Sequence, residues 1–208
     1  MRIPLFLILT GSLLALPSAA QKRAAATKEP TFPEAVEQAK KSFDAQEYGA
    51  AVTALQAAIR AVQKLQRTAI LTALPKPEGF TIRDEEPPKD DPASNPFAMT
   101  MGMVVLRHYD KGDGKSINLE VMANSPMAPM LAMMFANPSI VKADGGEIVE
   151  HGKHKALLKK NGDTGQELTI LLFDKHVVKA TAESMTAEEL LAVFDQAAVD
   201  RVEKALGN

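Results

Sequence analysis

The sequence predicts an α+β protein, with an N-terminal helical hairpin, a proline-rich linker and then an antiparallel β-sheet covered on one face by helices. Three observations predict this class. Apolar residues recur at helical spacing over 31–74, six of the 13 prolines fall within 75–96, and short apolar runs separated by turn residues fill 97–208. The last region has the order strand, strand, helix, four strands, helix, which is typical of an antiparallel sheet with helices packed on it.

The first twenty residues have the pattern of a signal peptide. Arg2 precedes an apolar run over 3–16, and Ser18 and Ala20 have the small size and spacing that a signal peptidase requires. We therefore expect cleavage after Ala20, a periplasmic or secreted protein, and no membrane span once the peptide is removed. The small and charged residues of 21–30 predict a flexible leader.

Residues 31–74 are expected to form the helical hairpin. Thr31 and Glu34 fit a capping box at the start of the first helix. The helix is expected to break and restart near Tyr48 and Gly49. The second helix then carries one apolar stripe: Val52, Leu55, Ile59, Val62 and Leu65.

This hairpin resembles one tetratricopeptide-type repeat through small and apolar residues at its packing positions: Ala39, Tyr48, Ala51, Leu55 and Ala58. The resemblance implies that alanines let the two helices approach closely and that a helical surface binds protein. Ser42 departs from the family pattern, because a large aromatic residue is common there. Two interpretations follow: an accessory hairpin packed on its own domain, or a scaffold that recruits a protein partner.

Residues 75–96 are expected to be a linker, because proline removes a hydrogen-bond donor and fixes φ. Their acidic residues predict a solvated charge run. Within this segment, the sequence GFTIR at 79–83 predicts one short strand at a sheet edge.

Residues 97–208 are expected to form the sheet domain. The strands TMGMVVLRHY and SINLEVM are joined by the turn DKGDGK, and GEIVEH, HKALLKK, ELTILLF and HVVKATA follow later. Between these groups, Ser125 and Pro126 begin a helix that ends before Asn137. A second capping box, Thr186 with Glu189, begins the last helix, and a break is expected near Asp195.

The strand and helix order of this domain resembles the PsbP-like fold of small secreted or lumenal proteins. From the hairpin through ANSPM and FANP to VKATAESMTAEELL, the chain also resembles a group of proteobacterial periplasmic proteins with no assigned activity. The PsbP-like resemblance implies a binding or assembly role rather than catalysis.

Composition excludes several classes of function. The 24 basic and 26 acidic residues give a net charge of −2, which argues against a polybasic nucleic-acid-binding protein. The absence of cysteine excludes disulfides, thiolate metal sites and cysteine nucleophiles. Because no GxSxG, GxxxxGK[ST], GxGxxG or HExxH motif occurs either, we expect a protein that is not an enzyme and has no cofactor.

Methionine is the most unusual component, since eight of the ten methionines lie between 99 and 134. The first three alternate along a predicted strand and so share one face, and the next group follows one predicted helix. Methionine suits adaptable apolar surfaces as well as protein cores. We expect a groove that holds an apolar small molecule or a partner segment, lined by Met99, Met101, Met103, Met127, Met130, Met133, Met134 and Phe135. Tight core packing of the same side chains is the alternative.

A copper site is a further alternative, because clustered thioethers are soft ligands that suit Cu(I). Met101 and Met103 are its first candidates, and His108 follows on the same strand. His151 and His154 flank the two-residue turn of HGKH and are expected to face each other across a hairpin. Solvated histidines at the strand ends, with no metal, are the simpler interpretation of that pair.

Overall fold

The computed structural model describes residues 29–86 and 102–207. The following parts of the chain lie outside the described residues: the expected signal peptide (1–20), residues 21–28 of the leader, residues 87–96 of the linker, residues 97–99 of the sheet domain, and the first two residues, 100–101, of the strand predicted as TMGMVVLRHY. The described elements are α1 (Phe32–Asp44), α2 (Tyr48–Ala73), β1 (Thr81–Glu85), β2 (Met103–Asp110), β3 (Ser116–Ala123), α3 (Ala128–Ala136), α4 (Pro138–Ala143), β4 (Gly146–His151), β5 (His154–Asn161), β6 (Gly165–Leu172), β7 (His176–Glu183), α5 (Ala187–Val193) and α6 (Gln196–Ala205). The α+β class is confirmed, with a helical hairpin followed by an antiparallel sheet and further helices.

The seven strands form one sheet in the order β1-β2-β3-β7-β6-β5-β4, and every neighbouring pair is antiparallel. The strand expected at 79–83 is present two residues later as β1, at the sheet edge beside β2. In the β2–β3 turn, Gly112 and Gly114 have φ values of 79° and 83°, a conformation that glycine adopts without steric cost.

The main core lies on the sheet face that alternate strand residues such as Tyr109, Ile170 and Val178 share. Helices α5 and α6 cover this face, and the expected break between them is at Asp195, whose side chain accepts a hydrogen bond from the Ala198 N–H. The end of α2 also belongs to this core. Ile70 and Leu74 are fully buried within it, so the hairpin is anchored to the sheet through its second helix.

Helix α3 lies on the opposite face, which departs from the expectation that helices cover one face. It packs against Val177 on β7. The next residue, Val178, belongs to the main core, and neighbouring side chains of a strand point to opposite faces of the sheet. The chain turns to this face directly after β3, where Asn124 has a φ of 54° and the Ser125 N–H donates to the Lys175 carbonyl. The helix also begins two residues later than Pro126, and α4, which follows it, was not predicted.

An ion pair between a buried arginine and a partly exposed aspartate joins the edge strand β1 to β2. The Arg107 Nε atom lies 2.5 Å from Asp84 Oδ1, and its Nη2 atom lies 3.0 Å from Oδ2. Only 4% of Arg107 is exposed. Its hydrogen bonds hold the pKa of the Asp84 carboxyl below its usual value.

His176 is a buried histidine at the start of β7. Its Nδ1 atom accepts a hydrogen bond of 3.0 Å from the Asn124 N–H, so the neutral ring carries its proton on Nε2. Burial, with a smaller contribution from the Lys175 charge, lowers the pKa of His176 below its ordinary value of 6.5. The folded protein therefore favours the neutral imidazole.

This burial predicts a loss of stability in mild acid. Below pH 6.5 the His176 ring of the unfolded chain takes up a proton that the folded chain resists, so the free energy of unfolding should fall as the pH decreases through this range. Urea unfolding of the wild type and of His176→Asn between pH 5 and 8 tests this expectation. Asparagine keeps an acceptor for Asn124 but does not titrate, so its stability should fall less steeply; equal slopes would contradict the assignment.

Candidate functional site

The two helices of the hairpin pack through small side chains. Apart from Ile70, which is buried in the sheet core, the buried residues of the two helices are Ala35, Ala39 and Ser42 on α1 and Ala51, Ala54 and Ala58 on α2. Small residues at this contact allow the helix axes to approach closely. Consequently the contact takes up little of the large apolar surface that both helices carry.

That surface is exposed. Nine large apolar side chains of the hairpin, which we call the hairpin stripe, are each 40–70% exposed: Phe32, Val36, Phe43, Tyr48, Val52, Leu55, Ile59, Val62 and Leu65. The apolar stripe of a surface helix normally faces the core. Contiguous apolar patches on a soluble protein mark interaction sites more often than chance, so the hairpin stripe is the strongest candidate site among the described residues.

An open groove of about 760 Å³ lies between the hairpin stripe and one end of the sheet. Its helical wall is formed by five stripe residues together with Ala58, Gln63 and Gln66, and its sheet wall by residues of β2, β3 and their flanks: Gly102, Met103, Ala123 and Asn124. The volume falls within the range that is typical of ligand-binding clefts. Among the described residues, no side chain in this lining is acidic or basic, so this part of the groove offers apolar burial and a few neutral polar contacts.

The expected methionine groove does not assemble from the described residues. Met103 packs against the main core and lines the groove beside α2, whereas α3 carries its methionines on the opposite face of the sheet. Met127, Met130 and Met133 are exposed there, and Met134 and Phe135 pack partly buried against α3's own small cluster. Met99 and Met101 lie outside the described residues. Met103 and the methionines of α3 are separated because the chain turns at Asn124 and carries α3 to the sheet face opposite Met103.

The candidate copper ligands that the structure describes do not converge either: Met103, His108, His151 and His154. His108 lies on the face opposite to Met103, where its ring hydrogen-bonds Asn118 and, at 2.6 Å, Glu85 Oε1. Three strands separate β2 from β5, which places His108 on the order of 19 Å from the histidines of the β4–β5 turn at ~4.8 Å per strand.

His151 and His154 face each other across β4 and β5, as predicted, but they are not solvated strand-end residues. The His151 ring contacts the Phe194 carbonyl oxygen, and the His154 Nε2 atom lies 3.0 Å from Glu203 Oε1. Both rings are thus partly buried against the α5–α6 segment. The interpretation as solvated histidines was wrong, because α6 packs over this end of the β4–β5 strand pair.

Around His154, the side chains of Asp200 and Glu203 form a compact polar cluster. One ligand atom from each of these three residues lies within 4.8 Å of the others, a donor set that suits a divalent cation. However, the Lys153 ammonium is 2.5 Å from Glu203 Oε2 and 3.0 Å from Asp200 Oδ1, and its hydrogen bond lowers the pKa of Asp200. The lysine supplies the positive charge, and the cluster fastens the β4–β5 turn to α6.

Comparison with known proteins identifies no relative: no family model, no curated protein and no solved structure matches this chain. Among the helices of residues 29–86 and 102–207, none combines the length and apolar composition needed to cross a membrane. The site is therefore argued from its own geometry.

Proposed function

We propose that this chain is an exported, non-enzymatic binding protein that receives an apolar segment of a partner protein on its hairpin stripe and in the adjoining groove. The export assignment is supported by the signal-peptide pattern that precedes Gln21. The single observation that carries the binding role is the exposure of nine large apolar side chains on one hairpin.

The chemistry of the groove supports binding rather than catalysis. General acid–base and nucleophilic catalysis need a titratable or nucleophilic group at the reacting atoms. The groove lining contains glutamines and an asparagine as its polar side chains, and the remaining residues are aliphatic, aromatic, thioether or glycine. Such a lining recognises an apolar surface and orients it with neutral hydrogen bonds.

The energetics suit a reversible complex. Burying a large apolar side chain completely stabilises a complex by ~1.5–3 kcal/mol, so a side chain that is already half buried adds on the order of 1 kcal/mol. Nine such contributions sum to on the order of 9 kcal/mol of stabilisation. This sum lies within the range of roughly 4–15 kcal/mol that is given for the free-energy cost of association. A partner that covers the whole hairpin stripe should therefore bind more tightly than one that fills the groove alone.

An apolar dye tests the proposal. At submicromolar protein concentration, anilinonaphthalene sulfonate (ANS) fluorescence should rise and saturate, because the dye enters the exposed groove. Leu55→Gln combined with Val62→Gln should reduce the dye signal several-fold while the circular dichroism spectrum stays unchanged, since both side chains are about half exposed.

The matched control is Met133→Gln combined with Ile140→Gln, which removes two similarly exposed apolar side chains outside the hairpin. This variant should keep the wild-type dye signal. A folded, monomeric wild-type protein that does not bind the dye, or equal losses in both double variants, would overturn the proposed function.

A further inference from the structure

We propose that the apolar partner segment is the same stripe on a second copy of this chain, so that two hairpins pair in an antiparallel arrangement about a two-fold axis. The inference rests on the proposed function and names its partner. Two helices from each copy would then form a four-helix bundle, an architecture in which each helix buries apolar side chains against two neighbours.

The first argument is the spacing along α2. Val52, Leu55, Ile59 and Val62 follow one another at intervals of three, four and three residues, which is the spacing of a coiled-coil seam. These intervals read the same in both directions. When two copies run antiparallel, Val52 of one meets Val62 of the other and Leu55 meets Ile59, as a self-complementary two-fold contact requires.

The second argument is the way that α2 already packs. Ala51, Ala54 and Ala58, which contact α1, lie beside the seam and do not belong to it. The first helix therefore occupies one flank of α2 and leaves the seam on the wall of the open groove. A second copy can pack on the seam while the α1–α2 contact within each hairpin is preserved.

The third argument is area. Each stripe side chain is 40–70% exposed. If a large side chain has a full area of roughly 150–250 Å², the mean exposed area is on the order of 100 Å², and the nine side chains together expose on the order of 900 Å². A stable interface of standard size buries about 800 Å² on each partner. The hairpin stripe therefore offers about the area that a homodimer needs.

Charge is compatible with this pairing. Helix α2 has no acidic residue, and its three basic residues, Arg60, Lys64 and Arg67, lie on faces of the helix other than the seam. Pairing through the seam therefore buries no charge of α2.

The mass of the purified signal-free protein in solution tests the inference. Size-exclusion chromatography with light scattering at tens of micromolar should give twice the chain mass. Leu55→Glu combined with Ile59→Glu should restore the single mass, because it buries like charges in the central layer. Met133→Glu, an equally exposed apolar position on α3, should leave the dimer intact.

A cysteine pair tests the orientation without depending on the charged variant, and the chain has no natural cysteine that would interfere. Mixing Val52→Cys with Val62→Cys under mild oxidation should give a disulfide-linked heterodimer, because these positions share a layer. Val52→Cys alone should not cross-link, since its two copies lie about 15 Å apart along the axis and a disulfide needs Cα atoms within about 7 Å.

The outcomes separate the inference from the proposed function. A monomer that binds ANS, and loses the dye on the seam substitutions, would overturn self-association and leave the binding role standing. A monomer that does not bind the dye would overturn both. A dimer that survives Leu55→Glu with Ile59→Glu, or that cross-links through Val52→Cys alone, would overturn the antiparallel seam.

Discussion

Replacing Tyr109 by alanine is expected to lower the free energy of unfolding by about 3–5 kcal/mol, which is the usual cost of truncating a fully buried large aromatic side chain. Only 1% of Tyr109 is exposed. Its ring makes edge-on contacts with Phe80 and Phe194, at centroid distances of 6.4 and 6.3 Å. Its hydroxyl donates to the Pro75 carbonyl oxygen at 3.1 Å.

The effect should be large because these contacts join separate parts of the chain. Pro75 follows α2, Phe80 precedes β1, and Phe194 ends α5, so one ring in β2 connects the hairpin, the edge strand and the C-terminal helices. Truncation would leave a cavity where these segments meet. Because the surrounding residues belong to the main core, the cavity is expected to collapse only in part.

Urea denaturation followed by circular dichroism measures this change. Tyr109→Phe is the control, since it keeps the ring and removes only the hydroxyl bond, and it should cost about 1 kcal/mol. If Tyr109→Ala cost no more than Tyr109→Phe, the aromatic contacts would not carry the stability assigned to them.

Replacing Asp84 by alanine is expected to cost about 3 kcal/mol, because it leaves the Arg107 guanidinium buried without its carboxylate. This value is the low end for a broken buried pair, since 37% of the Asp84 side chain is exposed and water can enter beside it. The loss should appear in urea unfolding as a lower midpoint with an unchanged slope.

The double variant Asp84→Leu with Arg107→Met is the informative control. Replacing both partners removes the desolvated charges together, so its stability should lie close to that of the wild type. A double variant as unstable as Asp84→Ala would contradict the buried-charge explanation and assign the loss to packing at the sheet edge.

The same pair predicts a difference in acid. Arg107 lowers the pKa of Asp84 in the folded protein, so the stabilisation is present above the unfolded value of 3.8 and is lost as the pH falls through the lower folded value. The wild type should therefore lose stability more steeply than the double variant below about pH 4. This range is separate from that of His176, whose contribution changes below pH 6.5.

These stability predictions concern the part of the molecule that holds the hairpin in place. Ile70 and Leu74 anchor the end of α2 in the sheet core, whereas the hairpin stripe lies along α1 and the earlier turns of α2. Core variants are therefore expected to change unfolding, and stripe variants to change binding and mass in solution. A stripe variant that loses binding while its unfolding stays unchanged therefore reports on the binding surface and not on the stability of the fold.

Much of the fold followed from local patterns in the sequence. The capping box at Thr186, the break at Asp195 and the edge strand near Ile82 are encoded by neighbouring residues, and they were predicted close to their positions in the structure. The missed helix α4 has only six residues, too few for an apolar period to be visible.

The candidate site was far less predictable. An apolar stripe on α2 was evident, but its exposure depends on which face of α2 contacts α1, and alanines at 51, 54 and 58 make that contact. The described methionines of the expected groove lie apart for a related reason, because strand alternation places Met103 on one face of the sheet but does not say on which face a later helix packs. The Lys153 cluster joins residues 47 and 50 positions apart in the chain and left no local signal.

The sequence by itself determined the class of fold, the order of its helices and strands, and the apolar character of the second helix, since each depends on short-range periodicity and on capping or turn residues. Only the tertiary structure decided which apolar residues are buried and which remain open to a partner. Burial depends on contacts between segments far apart in the chain, and here those contacts cover the alanine face of α2 and leave the larger side chains exposed.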